Sequence, residues 1–189
     1  MKPPAFVCDL DGTTCNLAHR LHLLQVKCEA CDGTGHLATY NGKHHPIRLC
    51  KACGGKGHRR DMDAFHAAQG RDKPHAETLA VVQALAGAGY TPVFLTCRPI
   101  RYRAETLAWL KRHGFLDHCQ NPWPAKEPEL LMRKGRDKRA DPAIKAEFYR
   151  RYIQPRFQVI LWLEDRTSVV RMVRDELGLP CWQVRPGDF

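Results

Sequence analysis

An alternation of five short apolar segments with helical patterns constrains this chain more than any other feature. The segments are Ala5–Cys8, Thr91–Leu95, Glu129–Met132, Gln158–Leu163 and Cys181–Val184. Between them, Leu79, Val82 and Leu85 form a stripe after Pro74, closed by Gly87 and Gly89. A second helical pattern covers Arg101–His113, with Leu107 and Leu110 inward and Gly114 as its stop. Asp141–Ile153 opens on Asp-Pro, and Thr167–Leu177 ends at Gly178. Proline in a first turn and glycine after a last turn mark helix ends. Strand alternating with helix predicts a parallel sheet covered on both faces, with right-handed crossovers. Ligands of such sheets lie beyond the carboxyl ends of the strands, so the residues just after each apolar segment carry the functional expectation.

The residues 26–60 break this pattern. They have no helical period, are rich in Gly and His, and contain Cys28, Cys31, Cys50 and Cys53. Cys28-Glu-Ala-Cys31-Asp-Gly-Thr-Gly35 and Cys50-Lys-Ala-Cys53-Gly-Gly-Lys-Gly57 repeat one pattern, and 18 residues separate Cys31 from Cys50. That spacing suits a four-cysteine zinc site, and four thiolates leave no open position, so the metal would be structural. The expected organisation is therefore a core of residues 1–25 and 61–189 with a zinc-binding insert of residues 26–60. Nine cysteines, an odd count, and no secretory leader after Met1-Lys2-Pro3-Pro4 point to metal in a reducing, cytoplasmic setting. No apolar run is long enough for a membrane span. Thirty Lys+Arg against 20 Asp+Glu give +10 and favour polyanionic partners such as nucleic acid. From Lys27 to Arg60 there are seven Lys/Arg against two Asp/Glu, a net +5 that is half of the total.

The segment ends carry candidate chemistry. Asp9 and Asp11 stand two apart in Asp9-Leu-Asp11-Gly-Thr13, on the same side of the chain. Paired carboxylates at the mouth of a parallel sheet suit metal-assisted phosphoryl transfer, one attacking phosphorus and the other trading protons. Thr96 and Arg98 end the second segment and suit phosphate oxygens. Glu164 and Asp165 end the fourth and suit a hard cation, and Lys145 could neutralise developing charge.

These residues, in this order, resemble the four motifs of the haloacid-dehalogenase phosphohydrolase superfamily. Glu164-Asp-Arg-Thr-Ser-Val-Val-Arg-Met-Val-Arg and Cys181-Trp-Gln-Val-Arg-Pro-Gly-Asp-Phe189 are similar to the 3′-phosphatase half of phage polynucleotide kinase–phosphatase. The resemblance implies a Rossmann-like three-layer fold with the insert as a small basic cap. It implies Asp9 as nucleophile and Mg²⁺ ligand, Asp11 as general acid/base and backbone ligand, and Asp165 as the remaining protein ligand. Thr96 and Lys145 would hold phosphoryl oxygens, and Arg20, Arg98 and Arg166 would bind substrate phosphate or backbone. The implied activity is removal of terminal, 3′, phosphates from DNA or RNA through an aspartyl-phosphate. Cys97 departs from the family's glycine, Glu164 from its first aspartate, and Gly54-Gly-Lys-Gly lacks the spacing of a kinase phosphate loop. The cysteine repeats resemble the zinc knuckles of the DnaJ family, which implies metal binding alone.

Two other readings stay open: a phosphatase of mononucleotides or other small phosphomonoesters, and a catalytically silent zinc-dependent nucleic-acid-binding module. The remaining expectations are plainer. His44, His45 and His58 read as polar loop residues, and Arg133–Arg139 as a solvated basic loop open to nucleic acid. Cys8, Cys15, Cys97, Cys119 and Cys181 read as small buried or semi-buried groups rather than ligands, and Trp182 as core. Trp123, between Pro122 and Pro124, is a loop residue that could stack a base.

Overall fold

The computed structural model describes residues 1–38, 47–117 and 129–187; His44, His45, Cys119 and Trp123 lie outside them. The chain divides into two compact units, Met1–Leu17 with Gly70–Phe189, and Ala18–Gln69. No helix among the described residues is long and apolar enough to cross a membrane.

The first unit is built on strands β1 (Pro4–Cys8), β2 (Thr91–Pro99), β3 (Glu129–Arg133), β4 (Gln158–Glu164) and β5 (Cys181–Gln183). They form one parallel sheet in the order β5-β4-β1-β2-β3. Helices α1 (Ala76–Gly87), α2 (Arg103–Arg112), α3 (Asp141–Phe148) and α4 (Thr167–Arg171) connect them. α3 and α4 each continue into a π-helical turn, Tyr149–Ile153 and Met172–Glu176. Both sheet faces are covered, which is why the strands read as near-continuous apolar runs. Val7, Val93, Leu95 and Trp162 pack with Ile144, Val169 and Val173 on one side. On the other, Phe94 meets Phe115 edge-on at 6.5 Å, and Trp109 stacks on Phe115 at 5.4 Å.

Three local expectations are corrected. Pro74 is not in a first helical turn: it pairs with Cys15 in a two-residue antiparallel ladder, and α1 starts at Ala76. A proline has no N–H to lose at such an edge. α1 buries Thr78, Val82 and Ala86, while Leu79 and Leu85 are only half-buried. A threonine can take the inner position because its hydroxyl donates to the Thr13 carbonyl at 2.9 Å. Trp182 is 58% exposed, because alternation along β5 turns Cys181 into the core and Trp182 to the opposite face.

The second unit holds two short antiparallel ladders, Val26–Lys27 with His58–Arg59 and His36–Ala38 with Ile47–Leu49. It extends beyond residues 26–60 at both ends. The Arg20 guanidinium lies 4.1 Å over the Phe65 ring and donates to the Phe65 carbonyl at 3.1 Å. The Asp61 N–H donates to the Leu23 carbonyl at 2.9 Å, and the Asp61 side chain caps the helix Met62–Ala67. These contacts draw the segments before Val26 and after Arg60 into one body.

Candidate active site and four-cysteine cluster

The strand order sets β1 between β2 and β4, so the residues beyond their carboxyl ends converge. The Asp9 N–H donates to the Leu163 carbonyl at 3.1 Å, extending the β1–β4 ladder to the first carboxylate. Gly12, at φ 88°, then turns the chain. Asp9, Glu164 and Asp165 are all buried, with ligand oxygens within 4.8 Å of one another. Lys145 reaches in from α3, with Nζ 2.6 Å from Asp9 Oδ1 and 2.7 Å from Glu164 Oε2.

Three carboxylates against one ammonium leave two negative charges in a buried pocket. Burial, then the neighbouring carboxylates, push both Asp9 and Asp165 well above the usual carboxylate range. Burial alone would lower Lys145, but Asp9 and Glu164 hold it well above the ordinary lysine value. Asp165 accepts from the Thr13 hydroxyl at 3.1 Å on Oδ1, while buried Oδ2 has no hydrogen-bond partner among the described residues. A crowded oxygen set short of two positive charges, with one oxygen unsatisfied, fits a hard divalent cation. Glu164 acts inside this cluster as the second anchor of Lys145, and its other oxygen accepts from the Arg166 N–H at 3.3 Å.

Asp11 lies in a separate electrostatic setting. Arg98, wholly buried, donates to Asp11 Oδ1 through Nε at 2.9 Å and Nη2 at 2.5 Å, and to Asp72 Oδ2 at 3.1 Å. Burial opposes the Arg98 charge, but Asp11 and the groups beside it raise its pKa further. Asp11, Cys15 and Asp72 also cluster like metal ligands, but Arg98 Nη2 already bonds all three. Arg98 was expected to face phosphate; two carboxylates engage it here, and only its buried Nη1 has no partner among the described residues. Thr96 is buried, and its hydroxyl accepts from the Arg98 N–H at 3.2 Å.

Arg166 is half-buried and lies 3.4 Å from Asp141. Arg20 belongs to the second unit and is wholly buried there. Arg133 is no free loop charge: it donates to the carbonyls of Cys97, Asp137 and Arg139 and to Asp141. It therefore ties the end of β2 to the start of α3, which carries Lys145. Asp72 and the clamp of Arg133 were not predicted. Neither has a local signal, since each acts through partners distant in sequence or on the backbone.

In the second unit, Cys28 Sγ lies 3.9 Å from Cys50 Sγ, and Cys31 Sγ 3.8 Å from Cys53 Sγ. A tetrahedral site with metal–sulfur bonds of ~2.3 Å has sulfur–sulfur edges of about 3.8 Å, so the cluster fits zinc. The repeat is structurally reciprocal. Gly35 and Gly57 N–H groups donate to Cys31 and Cys53 sulfurs, each at 3.3 Å. The Cys28 N–H donates to the Gly57 carbonyl and the Cys50 N–H to the Gly35 carbonyl. Both glycines need positive φ, and a Cβ at either would lie 2.2 Å from the other knuckle's backbone.

An aspartate ending the central strand of such a sheet, with a lysine and an acidic pair around it, defines a haloacid-dehalogenase phosphatase, a phosphoric monoester hydrolase. The class C acid phosphatase from Bacillus anthracis, solved with tungstate bound, shares this fold at 14% identity and TM-score 0.53, over 98% of this chain and 69% of its own. Within that class, the chain belongs to the family of the polynucleotide kinase PNKP phosphatase domain, whose sequence model matches residues 54–189. That match includes Thr96, Arg98, Lys145, Glu164 and Asp165. A chain in the structure of a Pnkp1/Rnl/Hen1 complex is 28% identical, with TM-score 0.66, over 100% of this chain and 48% of that one. A second, in the Pnkp1/Rnl/Hen1 RNA repair complex, is 27% identical, with TM-score 0.66, over 100% of this chain and 44% of that one. The chain thus spans about half the length of these solved relatives.

Proposed function

We propose that the chain is a Mg²⁺-dependent phosphatase that removes terminal 3′-phosphates from DNA or RNA through an aspartyl-phosphate on Asp9. The observation that carries the chemistry is the separation of the two aspartates: Asp9 beside Lys145, Glu164 and Asp165, and Asp11 on Arg98. Mg²⁺, held by Asp9, the Asp11 carbonyl and Asp165, would offset the pocket's negative charge and polarise the phosphoryl group. An Asp9 oxygen forms a bond to phosphorus as the bond to the leaving oxygen breaks. Asp11 supplies the proton that the leaving oxygen needs. Asp11 then takes a proton from water as the water attacks phosphorus, the Asp9–phosphorus bond breaks and inorganic phosphate leaves. Lys145 holds Asp9 in place and balances charge, and the Thr96 hydroxyl binds a phosphoryl oxygen. Arg98 Nη1, Arg166 and Arg20 are the proposed contacts to substrate phosphate or backbone.

The polynucleotide substrate is supported by family membership and by relatives seen in a complex described as one of RNA repair. Structural zinc at Cys28, Cys31, Cys50 and Cys53 is supported by the sulfur spacing, and a reducing cytoplasmic setting by cysteines that form no disulfide among the described residues. The test compares phosphate release from 3′- and 5′-phosphorylated oligonucleotides and from 3′- and 5′-mononucleotides, with Mg²⁺ and with EDTA. The 3′-phosphorylated oligonucleotide should turn over fastest, and EDTA should stop it. Faster turnover of the mononucleotides refutes the polynucleotide reading. Asp11→Asn should lower kcat by about 10²–10⁴-fold, and an Asp9→Asn variant with full activity refutes the mechanism.

A further inference from the structure

The second knuckle and the strand after it form a cationic surface that the active-site chemistry does not use. From Arg48 to Arg60 the chain carries Arg48, Lys51, Lys56, Arg59 and Arg60, together with His58, and no Asp or Glu. All five basic residues are exposed, and none forms an ion pair among the described residues. Of the nearby acids, Asp32 pairs with Lys27 and Asp61 caps its helix. A hollow of about 410 Å³ opens here, lined by Ala52, Cys53, Lys56, His58, Arg59 and Arg60. Arg59 and Arg60 also line a neighbouring hollow of about 380 Å³ with Val26, Asp61, Met62 and Asp63.

A pocket for a small organic ligand is walled mostly by apolar and aromatic groups. This one has cationic side chains, no Phe, Tyr or Trp in its lining and a wide mouth. Lysine and arginine without counter-ions, set along an open groove, match the charge of a phosphodiester backbone. Their position is fixed by the cysteine cluster, since Lys56 lies between Gly55 and Gly57, whose backbone links the two knuckles.

We propose that the groove of Lys56, Arg59 and Arg60 binds the sugar–phosphate backbone of a single-stranded nucleic acid, which makes the zinc unit a substrate-holding module. The substrate class rests on the reading above, but the binding site does not depend on turnover. The two units are parts of one chain, so a strand held on the second raises the effective concentration of its end for the first. Longer strands then bind better than short ones, with no base preference.

The test uses the full chain and the triple variant Lys56→Ala/Arg59→Ala/Arg60→Ala, with zinc content measured to show that the unit is intact. Binding of an unphosphorylated, fluorescein-labelled oligonucleotide is followed by anisotropy from ~50 to ~200 mM salt. Three lost phosphate contacts should lower the salt slope by about 2. KM is measured for 3′-phosphorylated strands of ~3 to ~15 nucleotides. It should fall with length in the wild type and stay flat in the variant. The loss on long strands should exceed any loss on an aryl phosphate at least ~10-fold. Arg150→Ala/Arg151→Ala, on the first unit, should leave slope and length dependence unchanged. An unchanged slope and length dependence in the zinc-loaded triple variant would overturn the proposal. So would loss of binding to phosphatidylserine vesicles alone. A wild type that cleaves no oligonucleotide end, but whose binding is still lost in the variant, would refute the substrate reading and support the groove.

Discussion

Replacing Arg98 with methionine removes the charge at the centre of a buried network while keeping much of the side chain's volume. Arg98 and Asp72 are both fully buried, whereas the Asp11 side chain is 17% exposed. Asp11 can recover some hydration after the change, but Asp72 cannot. Breaking a buried pair by removing one partner costs about 3–5 kcal/mol, because the other charge is stranded. For a chain of this length, that corresponds to a fall in Tm of about 6–20 °C. All four tryptophans lie outside Ala18–Gln69, so tryptophan fluorescence during denaturant unfolding follows the first unit alone. Arg98→Met/Asp72→Leu removes both buried charges and should lose less stability than Arg98→Met by itself. Arg98→Lys should not restore activity, since one ammonium cannot reproduce the guanidinium's paired bonds to Asp11 together with that to Asp72. Activity should fall in kcat, where Asp11 is needed for proton transfer, more than rise in KM. A loss below about 1 kcal/mol, or strictly additive effects in the pair, would refute the network. A pure KM effect would return Arg98 to simple substrate binding.

Three further outcomes follow from the geometry. Folded Asp9 is raised to about 7 and Asp165 to about 9, first by burial, so the folded protein holds protons that the unfolded chain releases near pH 4. The metal-free protein should therefore lose stability as pH rises from about 4 through those values. Added Mg²⁺ should raise Tm more at about pH 8 than at about pH 5, and equal gains would argue against binding at this cluster. Gly187→Ala would bring a Cβ to 1.6 Å from Asp165 Oδ2, so one of them must shift. The Mg²⁺ concentration for half-maximal activity should rise about 10-fold or more, with Tm in EDTA nearly unchanged, and an unaltered Mg²⁺ requirement would count against Asp165 as ligand. Cys50→Ser/Cys53→Ser should abolish zinc content and open Ala18–Gln69 to protease while the tryptophan-reported transition persists. Retained zinc would refute the four-cysteine assignment.

Where burial is carried by apolar side chains, the sequence is a good guide: β1 and β4 are lined on both faces and differ from their expected limits by one residue. β2 runs past the apolar segment Thr91–Leu95 to Pro99, taking in Thr96 and Arg98, which were expected at its end. Arg98 reads as a phosphate ligand at the strand end until Asp72 supplies its buried counter-charge. The same absence of a local signal concealed Arg133, whose acceptors are chiefly backbone carbonyls. The four-cysteine cluster was legible because metal geometry constrains cysteine spacing directly. Its unit's limits were not, because Arg20 on Phe65 is a contact across 45 residues. Asp9 and Asp11 were visible as a pair, but their different surroundings were not.

That difference allows two carboxylates two residues apart to take unlike roles. Identical environments would give Asp9 and Asp11 similar proton affinity and leave neither suited to its task. Lys145 fixes one Asp9 oxygen and favours its charged form, while Glu164 holds Lys145 from the other side. A negatively charged Glu164 at that point also raises proton affinity around Asp9, so the cluster needs a further cation to hold all three carboxylates ionised. Asp11 pairs instead with Arg98, which Asp72 keeps from turning away, and in the proposed mechanism that pairing offsets the charge left on Asp11 once its proton has gone to the leaving oxygen. In the proposed mechanism cation demand therefore belongs to the Asp9 side of the strand end, and proton traffic to the Asp11 side. Exchanging the first acidic residue of the pair for glutamate preserves this division, because its longer side chain still reaches Lys145 from the end of β4.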